Sequence, residues 1–125
     1  MKKAAGVLII KDGLVFAFHR SDGQGTSLPC GKVDDGETTT LAAIRECLEE
    51  TGASVVLCGE PYVGTHGKFE VTTYRAVIVG FGQPTHSSEG IPEWVEPEMI
   101  FDGVFGEYNR IAYDVLSRID VGGAI

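Results

Sequence analysis

Short apolar runs separated by polar turns occupy most of the chain, a pattern typical of β-strands. The dipeptide Asp12-Gly13 lies between two such runs and predicts a β-hairpin. The run from Glu70 to Phe81 is the strongest strand signal, because it is rich in valine, isoleucine and aromatic residues. The predicted strands span residues 4–10, 14–18, 55–57, 62–63, 70–81 and 94–95, with irregular segments at 28–36 and 83–92 and a loose tail from 121 onward.

Apolar positions at helical spacing predict two helices. The first runs from Thr38 to Thr51, with threonines available to cap its start and Gly52 to end it. The second runs from Tyr108 to Ile119. The residues predicted to face the core are Leu41, Ile44 and Leu48 in the first helix, and Ile111, Val115 and either Leu116 or Ile119 in the second. Two helices far apart among mixed strands favour an α+β fold or αβα sandwich, in a single domain over residues 1–125.

Composition and charge narrow the classes of function. The 125 residues are 43% hydrophobic, enough for one domain with a core, and no apolar run approaches the roughly 20 residues that span a bilayer. The net charge of −8 argues against binding to a nucleic-acid polymer. It leaves phosphorylated small molecules open, provided that cations mediate the contact. The lysines and short apolar run at the start are interpreted as a strand rather than a signal peptide.

The cysteines indicate a compartment. Cys30, Cys47 and Cys58 are an odd set without a CxxC pair. A disulfide framework is therefore not expected, and a reducing cytoplasm is the simpler interpretation. Each cysteine is predicted to be a small buried hydrophobic residue.

The segment RECLEETG, residues 45–52, places three glutamates on one side of the first predicted helix. At 100° per residue, Glu46, Glu49 and Glu50 lie within about 100° of one another, opposite the predicted apolar face. Like charges four residues apart cost roughly 0.2–0.5 kcal/mol, and acids near a helix C-terminus are also unfavourable. A solvated acidic face explains most such charge runs. A divalent cation would remove both costs here, because Mg²⁺ prefers oxygen ligands.

The residues before the helix complete a longer pattern. Gly31 and Gly36 permit tight turns and let backbone carbonyls approach a metal, and Glu37 suits a helix N-terminus. Read as G-x5-E-x7-R-E-U-x-E-E-x-G-U, the stretch from Gly31 to Ala53 is similar to the Nudix box. Its seven fixed positions are filled by Gly31, Glu37, Arg45, Glu46, Glu49, Glu50 and Gly52. Cys30 departs from the family, which usually has a glycine at this position.

The resemblance implies a fold, an activity and a cofactor. The fold is the Nudix-type αβα sandwich with a mixed β-sheet between helices. The activity is metal-dependent hydrolysis of a nucleoside diphosphate linked to another group, with Mg²⁺ or Mn²⁺. The implied metal ligands are Glu46, Glu49, Glu50 and the Gly31 carbonyl. Arg45 would orient a glutamate of the box, Glu37 would brace the loop, and Gly36 and Gly52 would have structural roles.

Family members place the general base differently, and more than one position is open in this chain. One is Glu49 within the box. Another lies in the loop SSEGIPEWV, residues 87–95, which resembles a loop of MutT-type enzymes whose glutamate reaches the metal. That comparison points to Glu89 as a catalytic or metal-binding residue. Glu93, Glu96 and Glu98 are alternatives, and all of these acids could instead be solvated.

Substrate contacts are predicted from the same resemblance. MutT-type enzymes bind a purine base through an asparagine near the last helix, and Asn109 lies at a similar place; an amide can donate and accept together. The alternative is that Asn109 caps this helix. Arg20 is the candidate phosphate contact, and Lys32 is a further candidate substrate contact. Phe105 and Tyr108 would either stack on the base or fill the core.

The combined prediction is a Mg²⁺-dependent hydrolase that converts a nucleoside triphosphate, in one version an oxidised purine nucleotide, to the monophosphate and pyrophosphate. The protein would work in the cytoplasm as a monomer or homodimer. ADP-ribose, a nucleotide sugar or a dinucleoside polyphosphate remain alternative substrates, and a non-catalytic nucleotide sensor is a further alternative. His19, His66 and His86 are not predicted ligands, although His66 could lie at the pocket mouth.

Overall fold

The computed structural model of the protein describes residues 1–85 and 87–122. In chain order its elements are β1 (Lys2–Leu8), β2 (Ile10–Lys11), β3 (Leu14–Arg20), β4 (Thr26–Ser27), β5 (Cys30–Lys32), α1 (Thr39–Thr51), β6 (Ala53–His66), β7 (Phe69–Phe81), β8 (Gly90–Val95) and α2 (Gly106–Leu116). Single turns of 3-10 helix cover Ser87–Glu89 and Pro97–Ile100.

A mixed four-stranded sheet has the order β5-β1-β7-β6. Strand β1 pairs in parallel with β7 and antiparallel with β5, and β7 pairs antiparallel with β6. A second, antiparallel sheet is built on β3, which pairs with β2, β4 and β8. Because of this pairing, β8 lies next to β3, a strand that precedes the Nudix box in the sequence.

The mixed sheet lies between the two helices, because alternate side chains of β1 enter two separate cores. Ala4 and Leu8 pack in the core that includes buried residues of α2. Ala5 and Val7 pack in the core that includes buried residues of α1. The predicted αβα sandwich with a mixed sheet is therefore confirmed.

The face of α1 that enters the core differs from the predicted one. Ala43 and Cys47 are fully buried, whereas Leu41 and Leu48 are 57% and 41% exposed. Ile44 is partly buried against the core. The prediction that Leu41 and Leu48 face the core is therefore wrong, because small side chains pack α1 against the sheet and the larger leucines lie toward solvent.

Helix α2 is rotated in a similar way. Its buried stripe contains Tyr108, Ala112 and Leu116, each four residues from the next. Ile111 and Val115 are 40% and 47% exposed, so the prediction that they face the core is wrong. Both stripes have helical spacing, and only the packing against the sheet selects between them.

Arg75 of β7 fixes the C-terminal end of α2 to the mixed sheet. Its Nη1 donates to the carbonyls of Leu116, Ser117 and Ile119 at 3.2, 3.4 and 3.3 Å. A cation at a helix C-terminus is favourable, although burial lowers the pKa of Arg75. This contact holds α2, and the polar residue Asn109 within it, in place.

The strand predictions are largely confirmed, with changed boundaries. The predicted strands 55–57 and 62–63 are parts of β6, joined across a register shift between Cys58 and Tyr62. Asp12 and Gly13, with φ of 54° and 77°, form the predicted hairpin turn. The irregular segments are shorter than predicted, because β4 and β5 surround residues 28–29 and β8 begins at Gly90.

In the described part of the chain, no helix is long and apolar enough to cross a membrane. Cys30, Cys47 and Cys58 are free thiols, and Cys47 is the fully buried one. The last three residues of the predicted loose tail lie outside the described residues, as does His86.

Candidate active site

Helix α1 holds the acidic segment between two well-defined ends. At its start, the Thr38 side chain accepts a hydrogen bond from the Leu41 N–H at 3.1 Å. At its end, Gly52 adopts φ of 79° and its N–H donates to the Leu48 carbonyl at 2.9 Å. Both ends follow the predicted capping pattern. They fix the position of the three glutamates along the helix.

Arg45 gathers three glutamates of the box around one guanidinium group. Its Nε and Nη2 donate to the two carboxylate oxygens of Glu37 at 2.7 and 2.9 Å. Its Nη1 donates to Glu46 and Glu49 at 2.8 Å each, and Nη2 also donates to the Lys32 carbonyl at 3.0 Å. The bonds from Arg45 lower the pKa of Glu37 to about 2. This network ties the start of α1 to its acidic face.

Glu50 has a different environment. The residue is only 4% exposed, and its Oε1 accepts a hydrogen bond from the Cys30 backbone N–H at 3.0 Å. Burial, and after it the negative charge of Glu46, raises the pKa of Glu50 to about 8. The charged form of this carboxyl therefore lacks the compensation that Arg45 gives its neighbours.

Gly31 gives the Glu46 carboxylate room beside β5. A Cβ atom at residue 31 would collide with this carboxylate in its present position, so a larger residue would displace the Glu46 side chain. The preceding residue, Cys30, lines the same space. Burial raises the pKa of the Cys30 thiol to about 12. The cysteine at the position where the family usually has a glycine therefore stays uncharged.

The loop between β7 and β8 is fastened to the rest of the site by backbone hydrogen bonds. The Thr85 N–H donates to the Glu49 carbonyl at 3.0 Å. The Ser21 N–H donates to the Glu89 carbonyl at 2.9 Å, and the Ser21 hydroxyl donates to the Ser88 carbonyl at 3.0 Å. These bonds position the turn that carries Glu89.

One cavity of about 420 Å³ joins acidic residues to apolar ones. Its acidic lining consists of Glu46, Glu50 and Glu89, next to Gly31. Much of the remaining lining is apolar or aromatic, formed by Ala4, Leu28, Phe69, Val71, Phe105 and Tyr108. The volume is in the range of small-molecule sites. The cavity therefore offers one region for charged groups and one for a planar or apolar group.

Asn109 also lines this cavity and is 3% exposed. It lies within α2, whose N-cap residue is Phe105, so the interpretation of Asn109 as a helix cap is wrong. Its Nδ2 donates to the Ser27 hydroxyl at 3.1 Å and to the Ile100 carbonyl at 2.9 Å. These two bonds occupy both amide protons, which leaves the side-chain carbonyl as the group that can accept from a ligand.

Arg20 and two aromatic rings form another part of the cavity lining. The Arg20 guanidinium forms an ion pair with Asp22 at 2.7 Å and lies 5.8 Å from the centre of the Phe105 ring. The Phe105 and His66 rings are 4.6 Å apart. His66 thus lies at the cavity, as one interpretation of the sequence had it, whereas His19 is bonded to the Thr26 hydroxyl at 2.8 Å.

The remaining candidate residues are divided between the cavity and its surroundings. Lys32 lines the cavity, but Glu49 is held by Arg45 and does not. Glu93, Glu96 and Glu98 are exposed and do not line it either. Among the loop glutamates, the structure therefore brings Glu89 to the acidic region.

The oxygen donors in the cavity suit a hard divalent cation. Glu46, Glu50 and Glu89 all line it, and the negative charges of Glu46 and Glu89 both raise the pKa of Glu50. A cation among these carboxylates would offset that repulsion. Within residues 1–85 and 87–122, no three His, Cys, Asp or Glu side chains form a ready-made metal-binding group. Metal binding therefore requires carboxylates such as Glu46 to turn from Arg45 toward the cation.

Several residues in or next to the cavity were not predicted from the sequence. The hydroxyl of Ser21 fastens the loop of Glu89, and that of Ser27 receives a bond from Asn109. Phe69, Val71 and Leu28 form apolar lining. These residues come from separate strands and loops and belong to no local motif, so only the tertiary structure brings them together.

The comparison with protein families extends beyond the box. The family model described as NUDIX domain matches residues 1–116. The chain belongs to the Nudix hydrolase family. The match runs from β1 to the end of α2, so it includes both sheets and both helices of this Nudix domain.

Three curated relatives share different parts of the chain. A MutT-like protein of Streptomyces ambofaciens is 29% identical over 122 residues, which are 95% of this chain and 77% of that protein. An RNA pyrophosphohydrolase of Erythrobacter litoralis (strain HTCC2594) is 43% identical over 60 residues, 45% of this chain and 37% of that protein. An 8-oxo-(d)GTP phosphatase of Mycolicibacterium smegmatis (strain ATCC 700084 / mc(2)155) is 51% identical over 43 residues, 34% of this chain. The chain spans only 37% and 13% of the lengths of the last two.

A solved structure with a different substrate in its name has the same fold. An ADP-ribose pyrophosphatase from Streptococcus suis 89-1591 superposes with a TM-score of 0.70 and 16% identity, over 95% of this chain and 93% of that chain. At this identity the likeness concerns the fold alone. One fold can serve many functions, so the cavity of a Nudix domain, rather than its fold, determines its substrate.

Proposed function

We propose that this Nudix protein hydrolyses a nucleoside triphosphate to the monophosphate and pyrophosphate, with Mg²⁺ or Mn²⁺ as cofactor. The observation that carries the proposal is the single cavity that joins Glu46, Glu50 and Glu89 to an apolar lining and Asn109. Phosphates and cations fit the acidic region, and a nucleobase fits the apolar one. The net charge of −8 favours a small nucleotide over a nucleic-acid polymer.

Glu46, Glu50 and Glu89, with the Gly31 carbonyl and Glu49 as further candidates, would hold the cation. When bound, a divalent cation neutralises phosphate charge and makes a water molecule more acidic. Arg45 orients Glu46 and Glu49 through its Nη1, and Glu37 braces Arg45 from the other side. These bonds hold Glu46 and Glu49 on α1 next to the cation site, and Glu46 would turn from Arg45 when it binds the cation.

The proton of the attacking water has two candidate acceptors. Glu89 lines the cavity, whereas Glu49 is bonded to Arg45 beside it. A general base must come within hydrogen-bond reach of the proton that it takes. We therefore assign this role to Glu89 and a supporting role at the metal to Glu49.

Asn109 supports a base that presents an N–H donor, and guanine is a purine of this kind. Because both protons of its amide are used within the protein, its side-chain carbonyl can only accept a hydrogen bond. Guanine offers N–H donors on its pairing edge, and an 8-oxo-guanine offers one more at N7. Arg20 lies nearby as a phosphate contact, and the Phe105 ring as a surface for stacking.

The cellular setting is part of the same proposal. The described thiols are free, which agrees with a reducing cytoplasm. The strand β6 lies at an edge of the mixed sheet, so either a monomer or a homodimer paired through this edge agrees with the fold.

A substrate panel at fixed Mg²⁺ tests the function. It contains the common and 8-oxo purine nucleoside triphosphates, ADP-ribose, a nucleotide sugar, a dinucleoside polyphosphate and a 5′-triphosphorylated RNA. We expect metal-dependent release of pyrophosphate from a triphosphate at the highest kcat/KM. A nucleotide sensor would bind these compounds without turnover. Preferred hydrolysis of ADP-ribose or RNA would contradict the substrate assignment.

The Asn109→Ala variant tests the base contact on the best substrate. Loss of one hydrogen bond should lower kcat/KM by about 5- to 30-fold, mainly through KM. The Ser27→Ala variant is the matched control, because it removes one internal partner of Asn109 and keeps the accepting carbonyl. If both variants change KM equally, Asn109 acts through the local structure and not through the base.

A further inference from the structure

A second cleft lies beside the catalytic cavity, where β1 begins. Its volume is about 430 Å³, and it is lined by Lys2, Lys3, Lys32, Phe69 and the loop of residues 33–37. We call it the lysine cleft. None of the roles assigned above to the Nudix box explains why these lysines surround an open space.

The lysine cleft adjoins the catalytic cavity, because Lys32 and Phe69 line both. In the mixed sheet, Ala4 pairs with Lys32, and Lys2 pairs with Phe69. Paired residues, and residues two apart on one strand, lie on the same face of a sheet. Since Ala4 lines the cavity, Lys2 and Lys32 lie on the face that forms the cavity lining. The cleft thus continues the cavity along one face of the sheet.

Positive charge is concentrated in the lysine cleft, although the chain as a whole is negatively charged. The net charge is −8, and the sequence contains only five lysines, of which three line the cleft. In the part of the chain that the structure describes, the ion pairs are formed by Arg20 and Arg45 and by no lysine. The three ammonium groups are therefore available to an anion.

The acidic residues of the cleft compensate these lysines only in part. Glu37 and Asp34 lie 2.7 and 3.6 Å from Arg45, which takes up much of their charge. Asp35 is exposed and forms no ion pair within the described residues. The cleft therefore keeps a positive side, formed by Lys2, Lys3 and Lys32.

We propose that the lysine cleft binds the phosphates that lie beyond the cleaved bond, on the side away from the nucleoside. In a nucleoside triphosphate these are the two phosphates released as pyrophosphate. Lys32, at the junction, contacts the phosphate nearer the cavity, and Lys2 contacts the terminal one, with Lys3 adding charge from the edge. Lysine serves well here as a point charge for phosphate. The inference rests on the proposed function and adds where the terminal phosphates of its substrate lie.

This arrangement has a consequence for the class of substrate. The terminal diphosphate of a nucleoside triphosphate carries more negative charge than a sugar phosphate, so the lysine cleft favours nucleoside triphosphates over ADP-ribose and nucleotide sugars. Removing its lysines should narrow that preference. Because the contacts are exposed, their effect should also weaken as salt is added.

Binding of inorganic pyrophosphate tests the cleft without turnover. Calorimetric titrations, with and without Mg²⁺, compare the wild-type chain with the Lys2→Ala/Lys3→Ala variant. We expect affinity to fall by about 3- to 30-fold, as for two exposed ion pairs, and Lys2→Arg/Lys3→Arg to retain most of it. Lys11→Ala is the matched control, since Lys11 is an exposed lysine on β2 of the other sheet. Equal affinity in the wild-type and double-alanine proteins overturns the proposal.

Steady-state kinetics separates this inference from the proposed function. If the double-alanine variant raises KM for triphosphates and relieves inhibition by pyrophosphate, while KM for ADP-ribose stays constant, both are supported. If the wild-type protein hydrolyses triphosphates and the variant leaves KM and pyrophosphate inhibition unchanged, the lysine cleft is refuted and the function stands. If the wild-type protein hydrolyses no nucleotide, the function fails, and the calorimetry alone decides whether the cleft binds phosphate.

Discussion

The two sides of the acidic surface around α1 have opposite electrostatics. On the Arg45 side, one guanidinium binds Glu37, Glu46 and Glu49, and the pKa of Glu37 is lowered to about 2. On the Glu50 side, burial raises the pKa of the carboxyl to about 8. Glutamates of the same motif therefore differ in pKa, because the fold places a guanidinium next to some of them and leaves Glu50 with too little positive charge nearby. That shortage is what a site for an external cation requires.

Arg20, a second cation of the cavity, does not remove this difference. Arg20 lowers the pKa of Glu50 only as a minor contribution, and it is itself paired with Asp22 at 2.7 Å. Glu50 instead accepts one bond from the Cys30 N–H. Protonation at Glu50 and a divalent cation are thus alternative ways to balance the same buried charge.

The largest effect is expected from Glu50→Gln, which removes the charge and keeps the shape and the acceptor for Cys30. We expect kcat to fall by about 100-fold or more, since the proposed metal loses a ligand. The rise in melting temperature produced by Mg²⁺ should disappear as well. Glu60→Gln, at an exposed position of β6, is the control and should behave as the wild type. Full metal stabilisation of the Glu50→Gln protein would remove Glu50 from the metal site.

Arg45→Lys tests the other side of the comparison. A lysine cannot bridge three carboxylates with the planar geometry of a guanidinium, so the glutamates lose their common anchor. We expect kcat to fall by about 10-fold or more with a smaller change in KM, because Arg45 positions groups and does not touch substrate. The pKa of Glu37, followed by NMR, should return toward its ordinary value. Arg110→Lys on the exposed face of α2 should change neither quantity.

The two sides also predict two separate pH windows for stability. The raised pKa of Glu50 means that the folded state holds its proton more tightly than the unfolded state does. This contribution is fully present below the ordinary value of 4.5 and is lost as pH rises to about 8. The lowered pKa of Glu37 has the opposite sign, so its contribution is present above 4.5 and is lost as pH falls toward 2.

Urea denaturation of the metal-free protein measures these windows. Between pH 5 and pH 8, we expect the wild type to lose stability relative to Glu50→Gln, and Mg²⁺ to remove that difference. Between pH 4.5 and pH 2, Glu37→Gln should flatten the loss of stability instead. If the free energies of unfolding of the wild type and of Glu50→Gln change in parallel between pH 5 and pH 8, ionisation of Glu50 does not destabilise the folded protein as expected.

The smallest effect is expected on the side of α1 that faces solvent. Leu41 is 57% exposed, so Leu41→Ser should change the free energy of unfolding by no more than about 0.5 kcal/mol. Ala43 is fully buried, and Ala43→Leu should destabilise by about 1–3 kcal/mol through overpacking. Urea midpoints of the two variants measure the contrast. A larger loss of stability for Leu41→Ser than for Ala43→Leu would indicate that Leu41 faces the core, as expected from the sequence.

The sequence predicted correctly those features that depend on residues close together in the chain, and it failed for features that depend on tertiary packing. The ends of α1 were predictable, because Thr38 and Gly52 act on the backbone within one turn. Its core face was not, because Leu41 and Ala43 both fit a helical stripe and only the distance to the sheet selects the smaller side chain. Asn109 shows the same limit, since its partners Ser27 and Ile100 are distant in sequence and leave only its carbonyl for a ligand.

The sequence by itself determined the ends of α1 and the acidic segment from Gly31 to Gly52, because these depend on local spacing, caps and turns. The family and its mixed αβα architecture followed from the resemblance that this segment carries. The tertiary structure decided which glutamates share Arg45, which one is buried without it, and that Glu89 joins them. It also brought Lys2 and Lys32, which are 30 positions apart along the chain, to the same cleft. Burial and charge are set by residues from distant segments, and no local pattern contains them.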